Sequence, residues 1–145
     1  MHSPHLDRLI DLALDEDLGS AGDVTTQALV PPGAMGTAEL WAKQKLTVSG
    51  IEAFERVFER VDPTVKVEFS VANGDKTSAK QLIANLKGPL QSLLIGERTA
   101  LNIIQRTSGM ATMASKIASV VSKVKGSKLK ILDTRKTPPG MRGLA

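Results

Sequence analysis

Ile131-Leu132-Asp133-Thr134-Arg135-Lys136-Thr137-Pro138-Pro139-Gly140-Met141-Arg142 is the stretch from which the fold is read. The run from Leu129 to Leu132 gives way at once to five polar residues, then to a Pro-Pro-Gly turn and a further arginine. The pattern predicts a strand that delivers a polar site at its end. A buried strand fixes its last residues, and neighbouring arginine and lysine there can grip carboxylates or phosphates with charge-assisted hydrogen bonds. The ligand implied is a small polyanion. Composition alone equally allows a solvated basic loop, since lysine and arginine are usually exposed.

Working back from this stretch, Lys128 to Asp133 is predicted as a strand, preceded by Gly126 as a helix stop with Lys123 and Lys125 in the last turn. Met110, Met113, Ile117, Val120, Val121 and Val124 form an apolar stripe at helical spacing, expected to be core. Gly109 is expected to separate that helix from an earlier one. In the earlier helix Leu90, Leu93, Leu94, Leu101 and Ile104 share a face, with Glu97 among them and Arg98 at its border. A carboxylate buried there needs a partner. Arg98 then either satisfies polar groups of a packed interface or reaches a ligand or second subunit.

The first half of the chain reads as a small mixed sheet with helices. Leu6, Leu9, Ile10, Ala13 and Leu14 mark a first helix stopped by Gly19, and Asp23 caps a short segment. Asp15, Glu16, Asp17 and Asp23 are solvated or paired with bases in one reading, and are oxygen ligands for a divalent cation in a less favoured one. Thr37 to Ala42 alternates as a strand, with Trp41 in the core or on a rim. Ser49 and Glu52 have capping-box spacing for a helix with Ile51, Phe54, Phe58 and Val61 on one face, ended by Asp62-Pro63. Val65 to Val71 and Leu82 to Leu86 supply two more strands around an Asn73-Gly74-Asp75 turn.

Composition narrows the function classes. The 145 residues carry 19 basic and 15 acidic side chains, a net charge of +4, which suits an anion site better than an extended nucleic-acid surface. Three Phe, one Trp and no Tyr leave no set of stacking platforms for single strands. Without cysteine there is no disulfide, thiolate metal site or cysteine nucleophile. No leader pattern and no membrane-length apolar run is present, so a soluble cytoplasmic protein is expected.

Several blocks then carry a resemblance. They are Glu16-Asp17-Leu18-Gly19, Gly22 to Thr26, Gly50-Ile51, Gly88-Pro89, Glu97-Arg98-Thr99-Ala100-Leu101-Asn102, Gln105 to Gly109 with Ala111-Thr112, and Asp133 to Thr137 with Pro139-Gly140 and Arg142. In order and spacing the chain resembles the N-terminal half of quinolinate phosphoribosyltransferase, also called nicotinate-nucleotide pyrophosphorylase (carboxylating).

The resemblance implies an α+β fold: an N-terminal α/β sandwich domain with linking helix over 1–108, followed over 109–145 by the first strand of an incomplete α/β barrel. It implies transfer of a phosphoribosyl group from phosphoribosyl pyrophosphate to quinolinate with Mg²⁺ and decarboxylation, in NAD biosynthesis, by a dimer-based homo-oligomer. Arg98 is implied to reach the partner subunit's active site. Thr134, Arg135 and Lys136 are implied to line the substrate site, with Lys136 catalytic. The barrel's other elements are absent, since a closed barrel takes about 200 residues or more, so the chain alone is expected to show little turnover. Two alternatives remain open: a non-catalytic binding or dimerisation module, and a related phosphoribosyltransferase with another acceptor.

Overall fold

The structure, a computed structural model, describes residues 4–126, 128–138 and 140–144. Four helices and five strands follow in order: α1 (Pro4–Leu18), α2 (Val24–Leu29), β1 (Met35–Ala42), β2 (Leu46–Thr47), α3 (Ile51–Val61), β3 (Lys66–Phe69), β4 (Lys76–Thr77), β5 (Gln81–Pro89) and α4 (Leu90–Ser122). A three-stranded antiparallel sheet has the order β1-β5-β3, and β2 pairs with β4 as a separate ribbon. The α+β class read from the sequence is the class observed.

α1 ends at Leu18 with Gly19 at positive φ, as its sequence predicts. Asp23 caps α2, its side chain accepting from the Thr26 amide at 2.9 Å. The core joins Ile10 and Leu14 of α1, Phe54, Val57 and Phe58 of α3, Leu93, Ala100, Ile103 and Ile104 of α4, and Val65 and Leu86 beneath them. Two arginine forks fasten α1 to α3 from outside this core. Arg56 donates to both Asp7 oxygens at 2.8 and 2.9 Å, and Arg60 meets Asp11 in the same way.

Several expectations are corrected. The Ser49–Glu52 capping box does not form. The helix cap is Gly50 at φ 93°, and the Asn73 side chain, from a distant turn, accepts from the Gly50 and Ile51 amides. Glu52 instead accepts from the Asn73 amide nitrogen at 2.7 Å, fixing that cap in place.

α4 is not interrupted at Gly109; it runs unbroken for 33 residues, about 50 Å at 1.5 Å per residue. One interior glycine costs a helix only about 1 kcal/mol, too little to break one whose preceding turns are anchored by packing as far as Ser108. Nor is Glu97 buried. The packed stripe of α4 runs through Leu93, Gly96, Ala100, Ile103 and Thr107, turning Glu97 and Leu94 outward. Small residues decide this, because Gly96 lets the Phe58 ring lie against the helix backbone, where a Cβ would come within 2.8 Å of it.

The methionine stripe is not core either. Met113 is 59 % and Val120 66 % exposed, because the second half of α4 extends past the elements that cover its first half. Lys128 to Asp133 forms no strand, and Leu132 is 80 % exposed. A strand needs a neighbouring strand to form a ladder, and neither sheet among the described residues includes this run. Pro139 of the expected Pro-Pro-Gly turn lies outside the described residues.

Where α3 meets α4, Asp62 accepts from the Thr64 amide and hydroxyl at 2.9 and 2.7 Å and from the Ser92 hydroxyl at 2.7 Å. These bonds, led by the Thr64 hydroxyl, hold its carboxyl below the usual value. Protonation is thus harder in the folded chain than in the unfolded one, so this stabilisation is complete above the ordinary carboxylate value, about 3.9, and is lost as pH falls through the lower folded value. In urea titrations stability is expected to decline below about pH 4, and Asp62→Asn is expected to shallow that decline. An unchanged acid slope in the variant would refute the assignment.

Candidate functional site

Positively charged side chains named by the sequence occupy two separate places. The first is Arg98 on α4. It projects from the side of the helix opposite the packed stripe, its side chain 70 % exposed, and its Nη1 donates to Asp17 Oδ1 at 2.5 Å. Asp17, at the end of α1, is the more enclosed partner at 20 %. The Asp17 hydrogen bond raises the Arg98 pKa further, so the guanidinium is charged at any physiological pH. Its Nε and Nη2 hold no hydrogen bond among the described residues, leaving a two-donor edge turned outward.

The acidic cluster resolves into separate roles. Asp17 holds Arg98, while Asp23 accepts from the Thr26 amide and hydroxyl, the hydroxyl being the main cause of its lowered pKa. Asp15 and Glu16 face solvent. No group of three or more His, Asp or Glu side chains suited to a metal comes together among the described residues.

The second place is the stretch carrying Thr134, Arg135 and Lys136. All three are exposed. Asp133 accepts from the Thr134 amide at 2.6 Å, and Thr134 Oγ1 accepts from the Lys136 amide at 3.2 Å, a local turn that sets the backbone between the two bases. Beyond it the chain folds back, and Leu144 packs against the main core. No hydrogen bond or ion pair joins this stretch to Arg98 among the described residues.

The sequence blocks named above also contain residues with a structural task that spacing did not reveal. Thr107 Oγ1 and Ser108 Oγ donate to the Ser49 carbonyl at 2.6 and 3.1 Å, and Thr112 Oγ1 accepts from the Thr47 amide at 2.8 Å. One face of α4 thereby satisfies backbone groups of Thr47, the last residue of β2, and of Ser49 beyond the strand's end. Hydroxyls at helical spacing within an apolar stretch were the available signal.

A groove of about 690 Å³ runs between β1 and α4, with Trp41, Leu46 and Ile83 on one wall and Glu97, Leu101 and Gly109 on the other. Trp41 is a rim residue there, 47 % exposed, its indole donating to Glu39 at 2.9 Å. No described helix is long and apolar enough to cross a membrane.

A small antiparallel sheet under helices, with an exposed arginine anchored at one amino group, defines an α+β domain. Its relatives say more. The sequence profile described as "Quinolinate phosphoribosyl transferase, N-terminal domain" matches residues 23–108. Over 92 % of its length the chain is 40 % identical to quinolinate phosphoribosyltransferase [decarboxylating] 1 of Nicotiana glauca, of which it covers 37 %. It is 36 % identical to a probable nicotinate-nucleotide pyrophosphorylase [carboxylating] of Bacillus subtilis, covering 48 % of that protein. Among solved structures it superposes on NadC of Streptococcus pyogenes with a TM-score of 0.90 at 31 % identity, covering 99 % of this chain and 50 % of that one. The chain belongs to the quinolinate phosphoribosyl transferase family, and it spans between a third and a half of the length of these relatives.

Proposed function

We propose that this chain supplies the N-terminal part of a quinolinate phosphoribosyltransferase. In the proposed reaction the quinolinate ring nitrogen bonds to C1 of phosphoribosyl pyrophosphate, pyrophosphate leaves, and loss of CO₂ gives nicotinate mononucleotide. The observation that carries this reading is the family match over residues 23–108, which takes in Arg98, beside similarity to the Bacillus subtilis relative over 144 residues. The chemistry of these residues supports it. Quinolinate is a planar dicarboxylate suited to arginine forks, and a ribosyl transition state losing pyrophosphate is stabilised by concentrated positive charge.

In this reading Thr134 and Arg135 hold quinolinate, and Lys136 places its ammonium where negative charge develops. Arg98 extends its free edge into the site of a second subunit of a dimer, in keeping with its making no hydrogen bond or ion pair with the other three among the described residues. Mg²⁺ enters with the pyrophosphate of the donor. A cytoplasmic setting is part of the proposal, although some tobacco relatives are named mitochondrial and that of rice chloroplastic.

The test is quinolinate binding by calorimetry together with pyrophosphate release. The pure chain given both substrates and Mg²⁺ is expected to release no pyrophosphate, yet to bind quinolinate with an affinity that Arg135→Ala lowers at least about ten-fold, the loss of one charge-assisted fork. Mixed with the Streptococcus pyogenes relative inactivated at the position that superposes on Arg98, it is expected to restore release. Full turnover by the chain alone would contradict the division of labour. A dimerisation module is the second reading, favoured by the exposed apolar residues Met113, Ile117 and Val120 of α4; binding indifferent to Arg135→Ala in a folded variant would select it.

A further inference from the structure

Asp17 sits where helix energetics disfavours it. The C-terminal end of a helix carries partial negative charge, yet the last turn of α1 bears Asp15, Glu16 and Asp17 and no base. Nor is the ion pair with Arg98 a strong source of stability, because pairs this exposed contribute little. The contact nevertheless joins residues 81 positions apart, on two different helices, by one short hydrogen bond. Asp23, whose charge also acts on Arg98, is committed to the Thr26 amide and hydroxyl and cannot turn toward it. Glu97, the other acidic group acting on Arg98, is exposed on the groove side of α4.

The way the contact is made matters more than its strength. Asp17 takes a single Nη1 proton, so the Nε and Nη2 donors, the edge that fits a carboxylate or a phosphate in parallel, remain available. An arginine side chain free in solvent loses much rotamer freedom when it binds; one already held at Nη1 loses less. We propose that Asp17 is a positioning residue that pre-orients Arg98 for a doubly bonded anionic group of the substrate. This rests on the reading of Arg98 as an anion grip and adds the residue that sets its aim.

Two effects of Asp17 oppose each other, which makes the inference testable. Its charge repels an incoming anion, while its hydrogen bond orders the guanidinium. Asparagine keeps the accepting oxygen and removes the charge; alanine removes both. The experiment titrates the isotopically labelled 145-residue chain with quinolinate and follows the Arg98 Nε–H signal by NMR, assigned from its absence in Arg98→Ala. Urea unfolding is measured on each variant.

Asp17→Asn is expected to bind within two-fold of the parent or more tightly. Asp17→Ala is expected to bind at least five-fold more weakly, with both unfolding midpoints unchanged. Equal or tighter binding by Asp17→Ala, with Arg98 still responding, would overturn the inference and leave the reading of Arg98 standing. A lowered midpoint accompanying lost binding would make Asp17 a structural residue and also overturn it. No saturable response of Arg98 in the parent chain would remove the reading of Arg98, and this inference with it.

Discussion

Alanine at position 50 is expected to cost about 2 to 5 kcal/mol, a large share of the stability of a domain this size. Gly50 has φ 93°, a conformation in which a side chain is strained by about 1 to 2 kcal/mol. Its missing Cβ would also overlap Thr107 Oγ1. Thr107 cannot yield, because it is 1 % exposed and its hydroxyl bonds the Ser49 carbonyl at 2.6 Å. Relief therefore requires moving α3 away from α4. Urea unfolding reads the loss as a lowered midpoint with an unchanged slope; a Gly50→Ala protein within about 0.5 kcal/mol of the parent would show that the corner is softer than this geometry implies.

Phe58→Ala is expected to cost about 3 to 5 kcal/mol. The ring is buried, packed against Phe54 in a tilted arrangement at a centroid distance of 5.3 Å, and lies against the backbone of α4 at Gly96. Its removal leaves a cavity at the joint that seats the helix carrying Arg98, and neither glycine nor the neighbouring ring can fill it. Leu94→Ala supplies the contrast. That leucine lies on the face expected from sequence to be core but is 39 % exposed, so its truncation is expected to cost less than about 1 kcal/mol. Comparable losses at the two positions in urea titrations would contradict the observed orientation of α4.

That contrast also marks how far sequence alone reaches. Elements whose boundaries are local were legible: Gly19 ending α1, Asp23 capping α2, Asp62 closing α3, and the alternation of Val65 to Phe69. Elements decided by a distant partner were not. Periodicity centred the apolar face of α4 on its leucines, whereas close approach of Phe58 to Gly96 rotates the helix away from that centre. Ser49 and Glu52 have the spacing of a capping box, but Asn73, more than twenty residues away, takes the task. The run from Lys128 to Asp133 has the composition of a strand and no neighbour to make it one. Arg98 was singled out at the border of an apolar face; only the fold reveals that Asp17 holds it.

The sheet order has a consequence for behaviour at high concentration. β1 pairs with β5 on one side only, so its other edge leaves peptide groups of an eight-residue strand without a partner strand among the described residues. An open edge of that length is a template on which a strand from another molecule can be added with no element unfolded. Three local features blunt it: the register shift between Leu40 and Trp41, which spoils straight pairing, the exposed carboxylate of Glu39, and Lys43 just beyond the strand's end. Neutralising Glu39 thus removes charge from the middle of the longest edge strand among the described residues, the one with the most peptide groups to offer a second molecule.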